Sequence, residues 1–176
     1  MSQALATANG HDLTTTHPGE DLDDFVTFFI ADQMFGIPVL KAQDILQPQH
    51  IASIPLAPPE VRGSINLRGR IVTVIDVRVR LGLKPKAKID TSKGMGVTVE
   101  HGHDLYTLLV DRIGDVMGLS GDNFERNPAT LDPKWREFFI GVYRLEKKIL
   151  VVLDIERLLN LPRWDGKDNA RADKRD

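Results

Sequence analysis

The chain has 176 residues, 41% of them apolar and 27% charged, with a formal net charge of −2 and no cysteine. That length and balance fit one ordinary domain or two very small ones and exclude a disordered or collagen-like polymer. Without cysteine there is no disulfide framework, zinc–thiolate site or thiol nucleophile, and a near-neutral chain exerts no global pull on nucleic acid or anionic lipid.

Residues 1–24 mix Ser, Thr, Gly and Asn with Asp12, Glu20, Asp21, Asp23 and Asp24. They hold too few apolar groups to offset the entropy of ordering and are expected to form a flexible acidic arm. The arm has no Lys, no Arg and no apolar stretch of the kind an export signal carries, so a cytoplasmic protein is expected. Residues 25–30, Phe-Val-Thr-Phe-Phe-Ile, and 34–39 flank Asp32-Gln33 and read as a tight β-hairpin. Further strands are expected at 64–67, 71–75, 96–100, 105–110, 138–145 and 149–153. Turn residues such as Arg68-Gly69, Gly102-His103-Asp104 and Glu146-Lys147-Lys148 divide them. Asp76 and Asp154 are placed as N-caps of two brief helices, 77–81 and 155–159. The longest apolar run, Ile149 to Leu153 between Lys148 and Asp154, falls far short of the roughly 18 residues of a membrane span. Residues 162–176, rich in alternating basic and acidic side chains, are expected to be a second flexible tail, which leaves 25–161 as the folded part.

Aligning the chain with itself reveals a repeat. A shift of 71 pairs Val26-Thr27 with Val97-Thr98, Phe35 with Tyr106, Val39 with Val110 and Asp44 with Asp115. A shift of 78 pairs Gly63 with Gly141, Leu67 with Leu145, Ile71 with Ile149, Asp76 with Asp154 and Leu81 with Leu159. The difference places an insertion between Met117 and Gly141, where Asn127-Pro128 and Asp132-Pro133 mark a loop. A unit of about 65 residues buries only about 60% of its unfolded surface, so the halves are expected to need each other. Two small barrels sharing apolar surface along a seam is the economical arrangement.

Catalytic chemistry finds little support. His101 and His103 share one strand face if the strand continues, but Gly102-His103-Asp104 reads as a solvated turn, and no metal is expected. No serine lies in a G-x-S-x-G context, no phosphate-cradling loop occurs, and Gly94-Met95-Gly96 runs into a strand pattern where a dinucleotide site needs a helix. Arg62, Arg68, Arg70, Arg78 and Arg80 are opposed locally only by Glu60 and Asp76. A solvated face with ordinary ion pairs explains this segment better than a docking site for something acidic. Aromatics do not interleave with these arginines, so no nucleic-acid partner is expected.

Residues 61–83, Val-Arg-Gly-Ser-Ile-Asn-Leu-Arg-Gly-Arg-Ile-Val-Thr-Val-Ile-Asp-Val-Arg-Val-Arg-Leu-Gly-Leu, closely resemble the signature of the CheW family of bacterial chemotaxis coupling proteins. So do Phe35-Gly36-Ile37-Pro38-Val39 with Asp44-Ile45, the stretch 51–55, and Val110-Asp111-Arg112-Ile113-Gly114-Asp115-Val116. The resemblance covers about residues 25–161 and implies a mainly β fold of two intertwined five-stranded barrels, Src-homology-3-like, with short helices. The first barrel would span roughly 34–90 and the second roughly 95–153, with room for strand exchange. It further implies a non-enzymatic adaptor without cofactor. Its partners would be the cytoplasmic tip of a methyl-accepting chemoreceptor and the regulatory domain of the CheA histidine kinase, in arrays to which it is recruited without inserting into the membrane. By this resemblance Ala42, Asp44, Gly63 and Gly69 belong to the kinase-facing surface, Met95 and Val116 to a receptor groove, and Arg68 to complex assembly with its partner unassigned. The family commonly has larger Val and Glu where this chain has Ala42 and Asp44. The competing reading is a β-barrel carrier that takes a small ligand in the groove between the halves.

Overall fold

The computed structural model describes residues 22–48, 50–84, 94–126, 128–129 and 131–161. The expected tail at 162–176 and all but the last three residues of the expected acidic arm lie outside them. Strand β1 (Leu22–Ile30) turns through Ala31-Asp32 into β2 (Gln33–Pro38), with Ala31 at φ +53°. β1 begins three residues earlier than expected, because Leu22, Asp23 and Asp24 pair with Ser120, Leu119 and Gly118. Backbone pairing at exposed positions does not require apolar side chains. A 3₁₀ turn (Val39–Lys41) leads into β3 (Ala42–Leu46), followed by β4 (Val61–Leu67), β5 (Arg70–Asp76) and helix α1 (Val77–Arg80). The second half supplies β6 (Met95–His101), β7 (Asp104–Val110), β8 (Arg112–Ser120), β9 (Phe124–Glu125), a 3₁₀ segment (Pro133–Phe138), β10 (Phe139–Arg144), β11 (Ile149–Leu153) and α2 (Ile155–Leu159). Asp76 and Asp154 cap the helices as expected, accepting from Val79 N at 3.3 Å and Arg157 N at 3.1 Å.

The strands form two sheets, one ordered β8-β1-β2-β11-β10-β9 and the other β3-β6-β7-β5-β4. Each sheet mixes both halves of the chain, and the repeat reappears as matched register. β8 pairs with β1 through Ile113↔Phe28, Val116↔Val26 and Met117↔Phe25. Displaced by 71 residues, β3 pairs with β6 through Ala42↔Val99, Ile45↔Val97 and Leu46↔Gly96, with the irregularity at the same place. The parallel contact Phe35↔Val151 and Gly36↔Val152 is likewise repeated as Tyr106↔Thr73 and Thr107↔Val74. The third strand of each half thus pairs with the first strand of the other half. This is the expected pair of intertwined β units, although the ladders of the described residues leave both sheets open. Beyond β10 lies the two-residue β9; its counterpart beyond β4 is the single bridge Ala52↔Ser64.

β1 reads as a continuous apolar run because both of its faces are covered. Val26, Phe28 and Ile30 enter the main core, which takes Val97, Val99 and Leu108 from one sheet and Val142, Val151 and Leu153 from the other. Phe25 and Phe29 pack outward with Met34, Tyr143, Leu150 and Val152. Side chains from both sheets therefore meet in one shared core.

Tyr143 is 3% exposed and contacts the rings of Phe25 and Phe124. Burial, and secondarily the charge of Asp23, raise its phenol above the ordinary pKa. The fold holds the neutral form, so that contribution is complete below the ordinary phenol pKa and is lost as pH rises through the raised one. Tyr143→Phe is expected to flatten the alkaline fall in stability, followed by urea unfolding between about pH 9 and 11.

The basic segment is largely consumed within the fold. Arg62 reaches Asp76 at 3.7 Å, Arg68 reaches Asp44 at 3.1 Å, and Arg78 reaches Asp111 at 2.8 Å. Arg80 lies over the Phe138 ring and donates to the carbonyls of Leu158 (2.7 Å), Asn160 (3.0 Å) and Arg157 (3.2 Å), closing the end of α2. Asp111 also accepts from Ala31 N at 2.6 Å, so one carboxylate ties α1, the β1–β2 turn and the β7–β8 corner together. The hydrogen bond to Asp111, the largest influence on Arg78, raises its pKa and keeps it charged until strongly alkaline pH.

Candidate functional site

The hairpin β4–β5 ends in a two-residue turn closed by the Leu67↔Arg70 pair. Arg68 has φ +52° and Gly69 φ +83°, the left-handed pair of a type I′ turn, whose twist matches that of the strands. A tip of this kind needs positive φ, which Gly69 adopts without steric cost. Arg68 shares it, at a cost of roughly 1–2 kcal/mol for a residue with a Cβ. Asn66 Oδ1 accepts from Gly69 N at 2.9 Å and fixes the turn.

β3 and β4 are the opposite edges of the five-stranded sheet, yet the Arg68 side chain meets Asp44 of β3. The sheet curls enough to bring its edges together, and one ion pair spans the gap. Arg68 stays 82% exposed at its side chain, so the pair contributes at most about 1 kcal/mol to stability and chiefly orients the guanidinium. Ile71 beside the turn is 81% exposed and Ile45 beside Asp44 is 42% exposed. An oriented arginine next to an exposed isoleucine such as Ile71 is the composition of an interface anchor. The sequence hid Ile71 because β5 is nearly all apolar, and nothing in an apolar run marks the residue that faces water.

Ala42, half-buried, packs against the main core one strand position from this pair. Gly63 is buried. The backbone that approaches it is the chain's own: Ser64 and Ala52 exchange hydrogen bonds of 2.8 and 2.9 Å, and a Cβ on Gly63 would strike the Ala52 carbonyl oxygen. Met95 and Val116 lie on different sheets. Met95 opens β6 and packs partly against the core, whereas Val116, on the exchanged strand β8, is 44% exposed. Its counterpart in the repeat is Ile45, so each exchanged strand presents one β-branched residue to solvent.

The match that decides the family is to the CheW-like domain, whose family model covers residues 24–163. The chain belongs to the CheW-like family. It is 27% identical over 147 residues to the chemotaxis protein CheW of Klebsiella aerogenes, covering 84% of this chain and 87% of that protein. The corresponding Treponema pallidum protein is 28% identical over 137 residues, covering 77% and 81%. The fold is similar to that of the scaffolding protein TtCheW from Thermoanaerobacter tengcongensis, with a TM-score of 0.71 at 24% identity over 80% of this chain and 94% of that one. Among the described residues no helix is long and apolar enough to cross a membrane.

Proposed function

We propose that this CheW-like protein is a non-enzymatic adaptor that couples the cytoplasmic tip of a chemoreceptor to the regulatory domain of the CheA histidine kinase. The observation that carries this reading is the β4–β5 tip: a strained, exposed arginine oriented by Asp44, with the exposed Ile71 beside the turn. On this reading Ala42, Asp44 and Gly69 form the kinase-facing surface with Arg68, and Gly63 shapes that surface from beneath by admitting the backbone of Ala52. Met95 and Val116 face the receptor, and the protein works in the cytoplasm at membrane-associated arrays.

Titration of the isotopically labelled chain by NMR, with the kinase regulatory domain and a receptor tip fragment added separately and then together, tests the coupling. Two separate shift patches, one around Arg68 and one including Val116, are expected; a single shared patch or none would overturn it. Arg68→Ala is expected to unfold within about 1 kcal/mol of the parent and to weaken assembly with kinase and receptor by roughly 30-fold, the size of a hot-spot loss. Unchanged assembly by the folded variant would remove Arg68 from the interface.

A further inference from the structure

The repeat lets each place in one half be compared with its counterpart in the other. Asp111, Arg78 and Ala31 meet in the network described above, and their counterparts under the same shifts are Leu40, Glu156 and Gly102. These three also come together, but around a groove of about 260 Å³. Gly102, at φ +64°, turns as Ala31 does, so the backbone is repeated while the side chains are not. The helix residue is a carboxylate where α1 has a guanidinium. The corner residue is Leu40, 92% exposed, where the other half has the inward-drawn Asp111. Glu100 and Lys41 complete the charged lining, giving two carboxylates against one ammonium. Among the described residues neither Glu100 nor Glu156 forms an ion pair.

Where the first half closes this corner with an internal guanidinium–carboxylate pair, the second half has neither member and leaves two carboxylates on the groove without an ion-pair partner among the described residues. We propose that this groove docks an arginine side chain of a partner protein, taken by the carboxylates of Glu156 and Glu100, with an aliphatic neighbour of that arginine against Leu40. Charge complementarity favours a cation, and the planar fork of arginine matches a carboxylate better than lysine does. The volume lies below the roughly 300–1,000 Å³ of small-molecule sites and suits one side chain of a larger partner. The groove shares no residue with Arg68, Met95 or Val116, but Gln43 on its lining lies between Ala42 and Asp44, so an arginine docked here would adjoin the proposed kinase-facing surface.

The test is an NMR titration of the labelled full chain with acetyl-Leu-Arg-Leu-amide and with the same peptide carrying citrulline, which keeps the shape and removes the charge. Saturable shifts at Leu40, Gly102 and Glu156 are expected with the arginine peptide. Affinity is expected to fall at least about tenfold with citrulline, and equally in Glu156→Gln, the loss of one charge-assisted hydrogen bond. Leu40→Asp combined with Glu156→Arg should rebuild the internal pair of the other half, abolish peptide binding and leave the melting temperature unchanged or higher. Absence of saturable shifts, shifts centred elsewhere, equal affinity for citrulline, or undiminished binding by the folded double variant would overturn the proposal.

Discussion

Gly63→Ala is expected to destabilise the protein by about 3–5 kcal/mol, read as a lowered urea midpoint at unchanged slope. The cost has two sources. Gly63 has φ +148°, a conformation that residues with a Cβ rarely adopt, and the added methyl would strike the Ala52 carbonyl oxygen and approach Ile51 Cγ2 at 2.8 Å. The bridge Ala52↔Ser64, which covers the outer edge of β4, would have to open. Gly69→Ala separates the two effects: its φ is +83° but nothing lies within 4 Å of the new Cβ, so about 1 kcal/mol is expected. A loss of less than about 1.5 kcal/mol for Gly63→Ala would show that the 51–57 segment moves aside easily. Of the two glycines, only Gly69 yields a variant folded well enough for a binding measurement.

Asp111→Ala is expected to cost about 3 kcal/mol, because it strands Arg78, whose side chain is only 20% exposed, and removes the acceptor of Ala31 N. Asp111→Asn keeps an acceptor for Ala31 and loses the charge, so about half that cost is expected. The Arg78→Met/Asp111→Leu pair removes both charges and should recover part of the loss, as replacing a partly buried ion pair by apolar groups does. A double-mutant cycle in chemical denaturation measures this; additive losses would mean that Arg78 and Asp111 act separately.

Much of this architecture was legible in the sequence. The hairpins, the two capped helices and the repeat could be read because turn residues, N-caps and apolar periodicity are local signals. The exchanged strands were not. β3 carries Gln43 and Asp44, and β8 carries Arg112, Gly114 and Asp115; both become strands because β6 and β1 offer them partners, a condition outside their own residues. The same limit applied to the site. Arg68 and Gly69 stood out in a turn motif, but the contact with Asp44 depends on the curl of a whole sheet. The Asp111 network joins residues 31, 78 and 111. The expected loop between Met117 and Gly141 proved to hold the end of β8, all of β9 and a 3₁₀ segment capped by Asp132, elements too short for periodicity to declare.

The parallel pairing of β2 with β11 bears on how the protein is made. Gln33 Nε2 donates to the Ile149 carbonyl across 116 residues of sequence. A ribosome must therefore release β8 before β1 acquires its sheet neighbour, and nearly the whole folded region before β2 acquires its own. Until β8 emerges β1 and β2 would be held by each other alone, and until β11 emerges β2 keeps an open edge. Such long-range closure slows folding and leaves sticky strand edges waiting during synthesis, so the yield of native protein should depend on translation speed and chaperone supply more than its equilibrium stability implies.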